Sequence, residues 1–185
     1  MDTMTLLEQA RELLSPISTD TTSPEENRMD VFLTPENLLA GVEKLHCAHW
    51  GYLSAITGLD HIPSSQGTSE EREWAHTVHE EQTGFSYSGS IEVLYHFCNR
   101  SAILTLRVQL PYQKTLVPSI CGIIPSATLF ERELMEMFGV IVEDSPNNEH
   151  LLLPDDWPAG VYPLRKEFTG FDSVDEEEGD ANDAA

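Results

Sequence analysis

Two stretches near the middle of the chain alternate apolar and polar residues with a period of two. Ile91, Val93, Tyr95 and Phe97 fall on one face of the first, and Leu104, Leu106, Val108 and Leu110 on one face of the second. That period belongs to half-buried strands, because successive side chains of a strand point to opposite faces. Asn99-Arg100-Ser101 between them leaves room only for a tight turn. The pair is therefore predicted to form an antiparallel hairpin.

Helices are predicted around it. Leu6, Leu7, Ala10, Leu13 and Leu14 recur at helical spacing, so about the first 14 residues read as a short amphipathic helix. Residues 15–28 are rich in Ser, Thr, Pro and Glu and read as loop, and residues 29–33 as a short strand. Thr34 then suits a helix cap, with Pro35 at the first helical position and Leu38, Val42, Leu45 and His49 along one face. This helix should end near Trp50-Gly51. A weakly alternating strand is expected over residues 52–59, then a polar stretch over 60–90. Within it, Thr68 and Glu71 would open a short helix over residues 70–82. Residues 117–124 contain Pro118 and Gly122 and read as an edge strand or loop. A second strong helix follows, with Thr128 and Glu131 spaced as a capping box and Gly139 as its stop. Phe130, Leu134, Met137 and Phe138 share its apolar face. Arg132 and Glu136 lie opposite, four residues apart, while Glu131 and Glu133 border the apolar face.

After Val140 the pattern changes. Pro146, Pro154, Pro158 and Pro163 exclude a long helix or a central strand. Yet Leu151, Leu152, Leu153, Trp157, Val161, Tyr162, Leu164 and Phe168 are strongly apolar, which a disordered tail would not be. Such an arm has no sheet of its own. It must lie along the domain or along another protein, and Trp and Tyr are common anchors of an interface. Arg165-Lys166 is the one adjacent basic pair in the chain, which points to a specific acidic or backbone target.

Charge and composition narrow the function. The 185 residues hold 32 Asp and Glu against 10 Lys and Arg, a formal net charge of -22. A chain so acidic does not bind a phosphate backbone non-specifically. Seven of the carboxylates lie in residues 172–185 with no basic residue, too few apolar groups being present there to order the segment. The remainder is acidic too, which serves solubility or pairing with a basic partner. With 40% hydrophobic residues the chain can build one core. It has no apolar run near the roughly 18 residues of a membrane span, and Met1-Asp2-Thr3-Met4 lacks a basic leader. A soluble cytosolic protein is expected, with membrane association only through partners.

No catalytic constellation is evident. Cys47, Cys98 and Cys121 are far apart and form no C-x-x-C, which argues against a local iron–sulfur or zinc framework. His46 and His49 flank Cys47, and His76 and His79 form a second pair, but two spaced ligands do not make a metal site. There is no Gly-rich phosphate loop and no G-x-S-x-G elbow. Glu131 and Glu133 point in nearly opposite directions on a helix, so they cannot share a substrate.

Two motifs resemble one family. Glu131-Arg132-Glu133-Leu134-Met135-Glu136-Met137-Phe138-Gly139-Val140 is similar to the E-R-E and M-F-G-[VI] motif of the thirty-kilodalton subunit of respiratory complex I, whose bacterial form belongs to NADH-quinone oxidoreductase. Pro163-Leu164-Arg165-Lys166 is similar to its closing P-L-R-K, with Leu153-Pro154-Asp155-Asp156-Trp157 before it. The likeness also reaches residues 52–60, 92–97 and 117–125, and covers about 34–168. The closing stretch most resembles members from complex-I-related membrane-bound nickel–iron hydrogenases. One departure stands out: Asp144-Ser145-Pro146 replaces the family's Gly-His-Pro, keeping the Pro and losing the His. The acidic residues after 171 lie outside the shared pattern.

The resemblance implies an α+β fold: a two-layer domain with a mixed sheet over residues 1–140, followed by an extended partner-binding arm over 141–171; the composition after residue 171 adds an acidic disordered tail over 172–185. The resemblance also implies a non-catalytic subunit without a cofactor of its own, in the hydrophilic arm of a membrane-bound oxidoreductase. Iron–sulfur clusters, and nickel–iron or quinone, would belong to partners: a large redox subunit, a small iron–sulfur subunit and a ferredoxin-like subunit. The complex would sit peripherally on the cytoplasmic side of the membrane. Glu131, Arg132, Glu133, Trp157, Tyr162, Pro163, Leu164, Arg165 and Lys166 are the implied partner-binding residues. The alternatives are a small metal-dependent enzyme built on the histidine pairs, or a free-standing acidic binding module.

Overall fold

A computed structural model describes residues 2–61 and 89–170. The helix expected over residues 70–82, the pair His76 and His79, and the acidic residues from 172 lie outside them.

Helix α1 (Thr3–Leu14) begins at Asp2, whose carboxylate accepts from the Thr5 amide at 2.8 Å. Its Leu6, Leu7, Ala10 and Leu14 are buried. Strand β1 (Asp20–Glu25) pairs antiparallel with β2 (Arg28–Leu33). A 3-10 turn, Pro35–Asn37, leads into α2 (Leu38–Cys47). The helix expected from Thr34 thus opens as a tighter turn, its α portion starting three residues on. Strands β3 (Tyr52–His61), β4 (Ser90–Asn99) and β5 (Ala102–Pro111) follow. Asn99 faces Ala102, so the predicted hairpin turns on Arg100-Ser101, with Arg100 left-handed at φ 56°.

The sheet order is β1-β2-β5-β4-β3. Only the β2–β5 pair is parallel, so the sheet is mixed. Strand β1 corrects the loop expected over residues 15–28. Its side chains are almost all exposed and carry no apolar alternation, so nothing local marks it. It is a strand because the open edge of β2 offers backbone partners. Pro24 and the register shift between Thr22 and Glu25 suit an edge.

One sheet face carries Met29, Val31, Ile91, Val93, Tyr95, Phe97, Leu104, Leu106 and Val108, all buried. Helices α1 and α2 lie on this face over the β2–β5 side. Trp50, just after α2, donates its indole N–H to the Leu6 carbonyl at 2.8 Å, tying α2 to α1. Helix α3 (Thr128–Phe138) lies on β3. The result is an α+β domain of two layers. Each large aliphatic side chain buried between them contributes about 1.5–3 kcal/mol.

The opposite face is polar, yet Glu92 is only 1% exposed. Arg107 of β5 reaches it with Nε at 2.7 Å and Nη2 at 2.8 Å, and reaches Asp30 of β2 with Nη1 at 2.9 Å. The Arg107 guanidinium also lies 5.0 Å from the Phe32 ring centre. His61 of β3 meets Glu92 at 2.9 Å. One charged group therefore joins strands β2, β5 and β4, and Glu92 extends the network to β3. Burial pushes the Glu92 carboxyl up, but hydrogen bonds from His61 and Arg107 outweigh it and hold the group below its usual value.

Removing one member of such a network strands the other. Arg107→Met is expected to cost about 3–5 kcal/mol in equilibrium unfolding. A depressed carboxylate contributes stability that is full above its unfolded value and is lost as pH falls through its folded value. Stability should therefore decline below about pH 4.5, the ordinary value for Glu, and Glu92→Gln should flatten that acid limb. Denaturant melts of both chains from pH 7 to pH 3 give the measurement.

Candidate interaction site at helix α3 and the C-terminal segment

Helix α3 rests on β3 where β3 has no side chain. A Cβ at Gly58 would lie 2.6 Å from the Phe138 ring. The helix is preceded by a 3-10 turn, Pro125–Ala127, and the capping box expected of Thr128 and Glu131 is not formed. Thr128 instead donates its hydroxyl to the Pro125 carbonyl at 2.8 Å. Glu131 turns inward.

The Glu131 carboxylate is 1% exposed. It accepts from the Ile120 amide and the Ser119 hydroxyl, each at 2.7 Å, and from the Cys121 thiol at 3.1 Å. It therefore fixes the bend after strand β6 (Leu116–Pro118), which pairs in parallel with β7 (Ile141–Glu143). This pair resolves the first residues of the stretch expected as edge strand or loop, and makes the first three residues of the expected arm a strand. Burial, with the Glu131 carboxylate beside it, pushes the Cys121 thiol up. A thiol held protonated is a poor nucleophile.

The motif's other charged residues turn away from that bend. Arg132 donates Nε to the Glu149 carbonyl at 2.9 Å and Nη2 to the His150 carbonyl at 2.6 Å. Glu136 is buried and accepts the amides of Leu151, Leu152 and Leu153 at 2.5, 2.8 and 2.8 Å. Burial raises the Glu136 carboxyl, but these three amides outweigh it and hold the group low. Glu133 is exposed. Arg132 and Glu136, four residues apart, thus both serve the segment that follows β7. Glu136 was absent from the sequence-derived site. A signal for it exists: an apolar run outside helix and sheet, such as Leu151-Leu152-Leu153, carries amides that need acceptors.

Residues 144–170 contain no helix or strand. Asp144 is left-handed at φ 59°, and the Ser145 hydroxyl donates to the Asn147 carbonyl at 3.1 Å, so Asp144-Ser145-Pro146 forms a turn. Trp157 donates its indole N–H to the Val161 carbonyl at 2.9 Å and lies 6.2 Å from the Phe168 ring. Tyr162 covers Gly139, the left-handed stop of α3 at φ 67°, so closely that a Cβ there would lie 2.3 Å from the ring. Arg165 stacks 4.5 Å from the Tyr162 ring centre and 5.6 Å from that of Tyr112. It donates Nε to the Phe138 carbonyl at 2.7 Å, capping the end of α3. The backbone target anticipated for the basic pair thus includes one in this chain's own helix. The Lys166 amide donates to Asp60 at 2.7 Å, and the Tyr112 hydroxyl donates to the other Asp60 oxygen. Pro163 is half-buried, whereas Leu152 and Leu164 are 62% and 52% exposed.

Among the described residues no group of three or more His, Cys, Asp and Glu is placed to hold a metal. His46 and Cys47 end α2, and His49 lies beyond it with φ 51°. Among the same residues no helix is long and apolar enough to cross a membrane.

The fold and this motif-bearing helix define an α+β domain whose C-terminal segment is tied to its own third helix. Residues 31–174 match the profile of the respiratory-chain NADH dehydrogenase 30 kDa subunit, and the chain belongs to that family. It is similar to the C subunit of NADH-quinone oxidoreductase from Roseiflexus sp. (strain RS-1), 41% identical over 45% of this chain and 50% of that protein. It is also similar to the membrane-bound hydrogenase subunit beta of Pyrococcus furiosus, 42% identical over 36% of this chain and 39% of that one. The matched region spans half or less of each of these relatives. A chain in the structure of the membrane-bound sulfane sulfur reductase, an archaeal respiratory membrane complex, shares the fold. Its TM-score is 0.63 at 20% identity, covering 88% of this chain and 84% of that one.

Gly139→Ala places a side chain both in left-handed backbone and against Tyr162. The conformation alone costs roughly 1–2 kcal/mol. Equilibrium unfolding should show at least that loss, and the emission of Trp157 should shift as the segment moves.

Proposed function

We propose that this chain is a non-catalytic structural subunit in the hydrophilic arm of a complex-I-like membrane-bound oxidoreductase. It would hold a large redox subunit, of quinone-site or nickel–iron type, together with small iron–sulfur and ferredoxin-like subunits. Their clusters would then stay within electron-transfer reach. The complex would lie on the cytoplasmic side of the membrane, attached through partners, with the redox cofactors in those partners. Kinship with subunits of NADH-quinone oxidoreductase and membrane-bound hydrogenase supports this reading.

One observation carries it. The segment after β7 is held by its backbone to α3 and β3 while Leu152 and Leu164 stand outward. Exposed leucines on an ordered segment suit an interface core. Within the implied set, Glu131, Arg132, Tyr162 and Arg165 would position the segment. Glu133, Leu164 and Lys166, all exposed, would meet a partner directly, and Trp157 and Pro163 would stiffen the surface between them.

Native mass spectrometry of the complex purified through this chain tests the assignment. Iron–sulfur and large redox subunits should appear at fixed stoichiometry, and a solitary chain would refute it. Leu152→Asp with Leu164→Asp should leave the circular dichroism and melting temperature nearly unchanged and abolish co-purification. Retained assembly would remove this surface from the interface.

A further inference from the structure

We propose that residues 149–168 form a strap that opens as one unit while the body stays folded, its closure set by the carboxylates of Glu136 and Asp60. The inference rests on contacts within this chain and holds whether or not the partner assignment does.

The strap's attachments are of a different kind from those of the body. Sheet and helices are joined by a continuous apolar core. The strap contributes Leu153 to the margin of that core, and its other leucines are exposed or only partly covered. Beside the packing of Tyr162 on Gly139 and of Arg165 on the Tyr112 ring, it is bound by polar contacts. Three consecutive amides converge on Glu136, and the Lys166 amide goes to Asp60. Both acceptors are body residues and both are buried. Arg132 takes the carbonyls of residues 149 and 150. Near the far end, the Leu164 amide and Arg165 Nε take the last carbonyls of α3.

Those body residues have independent reasons to stay in place. Asp60 lies within the β3–β4 ladder, and Glu136 lies in α3 beside buried Met137 and Phe138. Opening the strap would therefore break these hydrogen bonds and the packing of Leu153, Tyr162 and Arg165, and leave the sheet ladder and the buried core between the layers in place. None of residues 149–168 is buried, and low local burial is the pattern of a unit that opens below the global unfolding transition. Because four strap amides end on two carboxylates, closure depends on those body groups. Hydrogen bonds to an ionised carboxylate are about twice as strong as neutral ones, so neutral isosteres should loosen the strap selectively.

Hydrogen exchange of the full chain, read by mass spectrometry at peptide resolution, tests this. In Glu136→Gln, peptides covering residues 149–158 should exchange about tenfold faster or more, and Asp60→Asn should do the same for residues 161–168. Peptides of β4 and β5 should keep their rates in both variants, and the exposed control Glu133→Gln should change neither region. If strap and hairpin peptides accelerate together, the strap is part of the body's cooperative unit and the proposal fails. Unchanged strap exchange in both variants also defeats it. Should either variant not fold, the wild-type chain in low guanidinium decides. Strap amides should then exchange through an opening with weaker denaturant dependence than that of β4 and β5, and a single shared dependence would overturn the proposal.

Discussion

Helix α3 can lie against strand β3 only because Gly58 presents no side chain to Phe138. Much of the C-terminal half depends on that contact. It sets the height and rotation of α3 over the sheet, and so the directions of Glu131, Arg132 and Glu136. Glu131 then reaches the bend after β6, while Arg132 and Glu136 reach residues 149–153. A helix lifted by even a methyl group would misplace three charged groups at once, since close-packed interiors do not absorb such shifts.

The E-R-E motif therefore divides its work by direction. Its first glutamate is an internal acceptor, its arginine grips backbone carbonyls, and its second glutamate faces out. The fourth charged residue of the helix, Glu136, completes the grip. Arg165 acts in the opposite sense, from the segment onto the helix, closing the α3 terminus against two tyrosine rings. Arginine suits this place because its planar fork stacks and donates at once, which a lysine head does not. On the far face Arg107 plays a comparable part among three strands.

Where the sequence was legible, the reason is periodicity. The β4–β5 hairpin, α1 and the apolar face of α3 follow from spacing alone, because burial on one face imposes a period of 2 or 3.6. Strand β1 was illegible because its partners are backbone groups of β2 and its side chains face solvent. The capping box at Thr128 misled for a related reason. A glutamate three residues into a helix suits a cap, but here the amide of Ile120 competed for it and won. Glu136 was missed because a buried carboxylate on a helix looks, in sequence, like a solvated one.

By itself the sequence determined which segments carry alternating or helical apolar faces, that α3 stops at Gly139, and that the residues after Val140 must lean on something else. Those features depend on local stereochemistry and on the cost of exposing apolar surface, both set by residue order. It also carried the family motifs. Only the tertiary structure decided what the motif's charges touch. An acceptor's partner is chosen by which unpaired amides folding brings within about 3 Å of it. Here Glu131 reaches back 11 residues to the Ile120 amide, and Asp60 reaches forward 106 to that of Lys166.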